Sequence, residues 1–180
     1  MNIIDELEWR EAINQQTDAE GLRQLTEEKS ISLYCGVDPT GDSMHIGHLI
    51  PFMMLKRFQL AGHRPVILIG GATGTIGDPS GRQSERTLQT MEQVQANVDA
   101  LTAQMKKLFL TEGDNQLRMV NNYDWTHQLN VIDFLRDYGK NFSINTMLAK
   151  DIVANRLETG ISYTEFSYQI LQSMDFLHLY

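Results

Sequence analysis

The sequence predicts an α/β chain, a parallel sheet with flanking helices, and three observations carry that reading. Residues 31–37 and 65–69 are two short apolar runs bounded by turn residues, which is how buried strands read. Between them, residues 47–61 place Leu49, Phe52, Met53 and Leu60 at spacings that suit a helix packed on a sheet, with Gly62 to end it. Strand, helix, strand at this spacing is a βαβ unit, and its strands pair in parallel because the crossover helix returns the chain to the same end of the sheet.

The remaining elements follow in order. The first thirty residues are helical, and Thr17 with Glu20 has capping-box spacing ahead of Leu22 and Leu25. A glycine-rich loop occupies residues 70–82, a long helical pattern covers 94–109, and residues 117–120 form a short third strand that runs into Asn121, Asn122, Tyr123, Asp124 and Trp125. Helical stretches come next at 131–138, 146–158 and 162–179. Three strands are few for a doubly wound sheet. The expectation is therefore the first part of a nucleotide-binding fold over residues 1–180, with a helical insertion at about 125–160 and the rest of the fold absent.

Composition narrows the function classes. With 180 residues, 42% of them apolar and 21% charged, the chain can bury one core. Its single cysteine excludes a disulfide framework, and no stretch nears the roughly 20 apolar residues of a membrane span. No charged-then-apolar leader precedes Asp5 and Glu6, so a cytoplasmic location is expected. A net charge of −8 argues against a broad basic face for nucleic acid, although it leaves room for a local patch.

The most informative run is LYCGVDPTGDSMHIGH, residues 33–48. A strand breaks at Asp38, Pro39, Thr40 and Gly41, and a helix opens at His45, Ile46, Gly47 and His48. That order brings backbone N–H groups and the positive end of a helix to an anion such as phosphate. His45 and His48, three apart, can both reach toward the start of the helix as donors, and Thr40 adds a hydroxyl. Together with Cys35 the two histidines make three candidate zinc ligands, but zinc histidines on a helix are more often four apart and no second cysteine follows. No protein-bound metal is expected.

Two further features concern the rest of a site. The loop at 70–82 lacks the lysine and hydroxyl of a phosphate-binding P-loop, since Arg82 and Gln83 follow Gly81, and it does not fit the dinucleotide pattern. It leaves the carboxyl end of a parallel strand, where open α/β sheets bind ligands, so Asp78 is a candidate partner for a ligand ammonium. Tyr168, Gln172 and Asp175, spaced by four and three, share one stripe of the last helix, while Phe166, Ile170, Leu171, Met174 and Leu177 supply its apolar faces. A phenol, an amide and an acid on one stripe suit an amino acid held at both ends, although a polar stripe is as often a solvated face.

HIGH at His45 to His48, after the strand that supplies Cys35, Gly36 and Asp38, resembles the signature of class I aminoacyl-tRNA synthetases. Tyr34, GATGTIGDPSGR with Asp78, NNYDW from Asn121 to Trp125, and FSYQILQSMDF from Phe166 to Phe176 resemble the bacterial tyrosyl-tRNA synthetases among them, over essentially the whole chain. The resemblance implies a Rossmann-like catalytic domain that activates L-tyrosine with ATP and Mg2+ and transfers it to tRNA(Tyr), in a homodimer whose dimer-forming insertion resembles the stretch 131–163. It implies Tyr34 and Asp175 at the phenolic hydroxyl of tyrosine, and Asp78, Tyr168 and Gln172 at its ammonium. Cys35, Asp38, Gly47 and His48 would contact ATP, Thr40 and His45 would meet its phosphates, and Asn122 would support the amino-acid pocket. The family's second half, with a Lys-Met-Ser-Lys-Ser-type loop and anticodon-binding domains, has no counterpart here, so activity is expected only of a complete chain. A free-standing nucleotidylyltransferase would account for HIGH but not for Tyr34 with Asp175, and a non-catalytic binding module is the third class.

Overall fold

In the computed structural model, which describes residues 1–80 and 88–180, β1 (Ser32–Val37) pairs in parallel with β2 (Arg64–Ile69). The register sets Tyr34 opposite Val66 and Gly36 opposite Leu68. A third strand, β3 (Arg118–Asn121), gives the sheet the order β1-β2-β3. The chain divides into two compact units, one of Met1–Val37, Gly41–Ile69 and Asp99–Val120, the other of Asp38–Thr40, Gly70–Val98 and Asn121–Tyr180.

The first unit holds the sheet and the helices that precede and cross it. α1 (Ile3–Trp9) starts at Asn2, whose side chain accepts from Ile4 N–H. α2 (Ala19–Glu28) starts at Asp18, whose carboxylate accepts from Gly21 N–H at 2.9 Å. The cap is thus one residue later than the Thr17 and Glu20 spacing suggests, since a carboxylate is at least as good an N-cap as a threonine hydroxyl. α3 (Ile46–Leu60) crosses from β1 to β2, and Gly62 beyond its end has φ +94°, a conformation that costs glycine nothing.

The buried face of α3 is Phe52, Leu55, Phe58 and Gln59. Met53 and Leu60, expected in the core, are 38% and 67% exposed. Two apolar stripes run side by side along this helix, and packing selects the one through Phe58, which joins Ile3, Ile4 and Leu7 with Leu33 and Met54 around them. Gln59 is buried at no cost in unmade bonds: its amide donates to the carbonyls of Leu110 and Asn115 and accepts from Leu110 N–H, at 2.9–3.0 Å.

In the second unit the expected loop after β2 contains a helical turn, α4 (Thr73–Ile76), while Gly81, Arg82 and Gln83 lie outside the described residues. α5 (Met91–Leu108) begins in this unit and ends in the first. NNYDW leaves β3 into a second short turn, α6 (Tyr123–Thr126). The expected helix at 131–138 is α7 (Val131–Asp133) continuing into a π-helical turn, Phe134–Tyr138, and a tight turn, Gly139–Asn141. The pattern at 146–158 resolves into α8 (Ile144–Leu148) and α9 (Asp151–Ala154). These pieces pack on α10 (Tyr163–Leu179), where Met147, Ile170 and Met174 form a core with Phe134, Tyr138, Phe142 and Phe166 around it. Leu177, expected on an apolar face of α10, is 65% exposed. Arg156 just beyond α9 reaches back to α10, donating to Glu165 at 2.9 Å with side chains 4% and 0% exposed, and to the Gly160 carbonyl at 3.2 Å.

Candidate functional site

In the second unit a chain of hydrogen bonds is built from five separated stretches of sequence. The turn that follows β1 is held by its carbonyls: buried Asn97 donates to Pro39 O at 2.9 Å and Gln89 donates to Thr40 O at 3.2 Å. This fixes Asp38, whose Oδ1 accepts from the Thr73 hydroxyl at 2.7 Å and whose Oδ2 accepts from the Tyr168 hydroxyl at 3.0 Å. Gly70 is required beside them, because a Cβ there would occupy the space of the Asp38 carboxylate and the Thr73 hydroxyl. Asn122, fully buried, accepts from Ala72 N–H at 2.8 Å and donates to Thr73 Oγ1 and to Asp175 Oδ2, both at 3.0 Å. Trp125 donates its indole N–H to the other oxygen of Asp175, also at 3.0 Å, and its ring stacks on His178 at 4.1 Å.

Asp175 is 4% exposed, and burial pushes its carboxyl above the ordinary 3.8 while the donors Asn122 and Trp125, and the charge of His178, pull it down. It is a buried acceptor with each oxygen already oriented by one donor. Asp78, Tyr168 and Gln172 line one cleft together with Phe166 and Gln169. Asp78 is set by its own turn, Oδ1 accepting from Ser80 N–H at 2.8 Å and from the Ser80 hydroxyl at 2.5 Å. Burial, with the carboxylates of Asp38, Asp78 and Asp175, holds the Tyr168 phenol far above its ordinary range, so it stays a neutral hydroxyl. Since its proton goes to Asp38, its oxygen keeps lone pairs for a second donor, such as an ammonium.

The first unit carries the rest of the expected residues. Tyr34 and Cys35 are partly buried on β1. The Cys35 thiol is pushed up by burial, which keeps it a neutral thiol. His45 is the N-cap of α3, Nδ1 accepting from Gly47 N–H at 3.1 Å, and its ring stacks on that of His48 at 3.7 Å. Burial, then the neighbouring His45, lowers the pKa of His48, so it is neutral near pH 7 and can present one N–H and one lone pair. Its Nδ1 is buried and has no hydrogen-bond partner among the described residues. Among those residues no group of three His, Cys, Asp or Glu side chains is arranged to hold a metal ion.

Sequence reasoning missed Thr73 and the role of Trp125. Neither carries a local signal, since their partners Asp38, Asn122 and Asp175 lie 35 to 50 residues away.

Comparison with known proteins bears on the whole chain. The family described as class I tRNA synthetases (W and Y) matches residues 26–180. Tyrosine–tRNA ligase 2 of Bacillus thuringiensis subsp. konkukian is 83% identical over all 180 residues, which make up 43% of that protein. Tyrosine–tRNA ligase of Latilactobacillus sakei is 75% identical over 179 residues, 99% of this chain and 42% of its own length. The chain therefore spans less than half the length of these relatives. Among solved structures, a C-terminally truncated mitochondrial tyrosyl-tRNA synthetase of Aspergillus nidulans superposes with a TM-score of 0.86 at 31% identity, over 99% of this chain and 54% of that one.

Proposed function

The chain belongs to the class I tRNA synthetase family of the tryptophan and tyrosine type, and from that premise we propose that it is the tyrosine-activating part of a tyrosine–tRNA ligase. The observation that carries this reading is the held carboxylate of Asp175, a buried acceptor with each oxygen already engaged by one donor, on the same helix as Tyr168 and Gln172 in their cleft with Asp78. In this reading Asp175 and Tyr34 take the phenolic hydroxyl of L-tyrosine, while Asp78, Tyr168 and Gln172 take its ammonium. A phenylalanine ring would leave the phenol's partners desolvated and unpaired, which is the physical basis of selection.

ATP enters with Mg2+ as a substrate, Cys35, Asp38, Gly47 and His48 lying on its ribose and adenine side and Thr40 and His45 at its phosphates. The tyrosine carboxylate is already a nucleophile, so it attacks the α-phosphorus in line without a protein base and pyrophosphate leaves. The 2′- or 3′-hydroxyl at the end of tRNA(Tyr) then attacks the tyrosyl carbonyl of the adenylate, forming the ester while AMP leaves. Thr40 and His45 act as donors that tighten on the oxygens of the five-coordinate phosphorus while His48 holds the nucleotide beside them, and rate comes from their placement. Homodimerisation, with apolar residues of 131–163 exposed for it, and cytoplasmic residence belong to the same reading; no helix among the described residues is long and apolar enough to cross a membrane.

The test is tyrosine-dependent exchange of pyrophosphate into ATP by the full-length protein. Exchange that needs tyrosine supports the proposal. Exchange that is indifferent to tyrosine and needs a different acceptor for the adenylyl group favours a free-standing nucleotidylyltransferase and refutes it.

A further inference from the structure

The second unit joins two carboxylates that the functional reading gives to different substrates, Asp38 to the nucleotide and Asp175 to the amino acid. The join is continuous: Asp38 Oδ1, Thr73 Oγ1, Asn122 Nδ2 and Asp175 Oδ2, with steps of 2.7, 3.0 and 3.0 Å. Its direction is set at both interior members. Thr73 has one hydroxyl proton, and because that proton goes to Asp38 the oxygen accepts from Asn122. Asn122 cannot turn its amide over, because Ala72 N–H donates to its Oδ1 at 2.8 Å. Thr73, Asn122 and Asp175 are 3%, 0% and 4% exposed, so water does not compete for these bonds.

We propose that Thr73 and Asn122 are positioning residues that couple the two substrates, so that nucleotide held at Asp38 tightens the binding of tyrosine at Asp175, and the reverse. The proposal rests on the assignment of Asp38 and Asp175 to nucleotide and tyrosine made above. A ligand that orders Asp38 orders the Thr73 hydroxyl, and through it the Asn122 amide and one oxygen of Asp175. The second ligand then meets an acceptor whose ordering is already complete. Linkage requires the effect to be reciprocal. Asn122 donation also polarises the Thr73 hydroxyl, which strengthens its bond to the carboxylate beyond what either pair has alone.

The experiment is equilibrium binding of L-tyrosine to the full-length ligase, with and without a non-hydrolysable ATP analogue, for the wild type, Thr73→Val and Thr73→Ser. Valine keeps the shape and removes both bonds, whereas serine keeps the hydroxyl. In the wild type the analogue should tighten tyrosine about fivefold or more, the lower end of ordinary coupling between sites. Thr73→Val should bring that ratio close to one, and Thr73→Ser should restore most of it. Independent binding of the two ligands to the wild type overturns the coupling while leaving the functional assignment standing. A Thr73→Val protein that binds both ligands more weakly at an unchanged ratio overturns it too, since Thr73 would then only hold the fold. A wild type that binds neither ligand overturns the functional assignment itself, and the coupling with it.

Discussion

Replacement of Asp175 tests the selection of tyrosine most directly. The carboxylate accepts from Trp125 at one oxygen and from Asn122 at the other, so Asp175→Asn places an NH2 group against one of two buried donors. Asn122 cannot relieve the clash by rotating, because its Oδ1 is committed to Ala72 N–H. One buried N–H loses its partner, and stability should fall by about 1–3 kcal/mol. For the ligand the change is from a charged to a neutral acceptor. A hydrogen bond to a charged group contributes about 1.5–3 kcal/mol against about 0.5–1.5 for a neutral one, so tyrosine should lose roughly 1–1.5 kcal/mol that phenylalanine never had. At about 1.4 kcal/mol per decade, the preference should shrink about tenfold in Asp175→Asn. Asp175→Ala removes the acceptor altogether, and its preference should shrink by about 10- to 150-fold. The assay is the ratio of kcat/KM for tyrosine and phenylalanine in pyrophosphate exchange by the full-length protein. An unchanged ratio in both variants, with tyrosine and phenylalanine losing activity together, would refute the reasoning.

Asp175 also predicts a pH signature in stability. Its folded pKa lies above 3.8, so the stability it contributes is fully present below pH 3.8 and is lost as pH rises through the folded value. Urea midpoints of Asp175→Asn and wild type, measured across that window, should draw together as pH rises, because only the wild type loses this contribution; a constant difference counts against the buried-carboxylate account. Breaking the Arg156 and Glu165 pair by Arg156→Met alone should cost about 3–5 kcal/mol in urea unfolding, with most of it recovered by adding Glu165→Leu, because the unpaired buried charge is what costs. No recovery in the double variant would point to packing instead. His45→Asn keeps a side chain that can cap α3 but removes the imidazole, so exchange turnover should fall about 10²–10³-fold with little change in ATP binding or melting temperature. Equal losses in ATP affinity and turnover would remove His45 from the transition state.

Much of the fold was legible because its signals are local. Apolar runs with turn residues at their ends mark β1 and β2 whatever surrounds them, and the spacing over 47–61 marks the helix observed at 46–60. The break at Asp38 to Thr40 and the capping role of His45 lie within one turn of chain. Packing decided which of two adjacent stripes of α3 is buried, and Met53 and Leu60 lost to Leu55 and Phe58, the latter packing with Ile3, Ile4 and Leu7 of α1 and Leu33 of β1. The same holds for the last helix, where Leu177 has the periodicity of a core residue and stands in solvent.

The sequence by itself determined the kind of protein, since strand, turn and HIGH each occupy a few neighbouring residues and can be recognised without a fold. Only the tertiary structure decided how those groups are held. Asp175 is a usable acceptor because Asn122 and Trp125, 53 and 50 residues away, aim donors at it, and Asp38 is fixed because Thr73 and Tyr168, 35 and 130 residues away, do the same. The helical and strand periods register only neighbours along the chain, whereas a hydrogen bond needs its donor within about 3 Å in space, and only folding brings such distant residues that close.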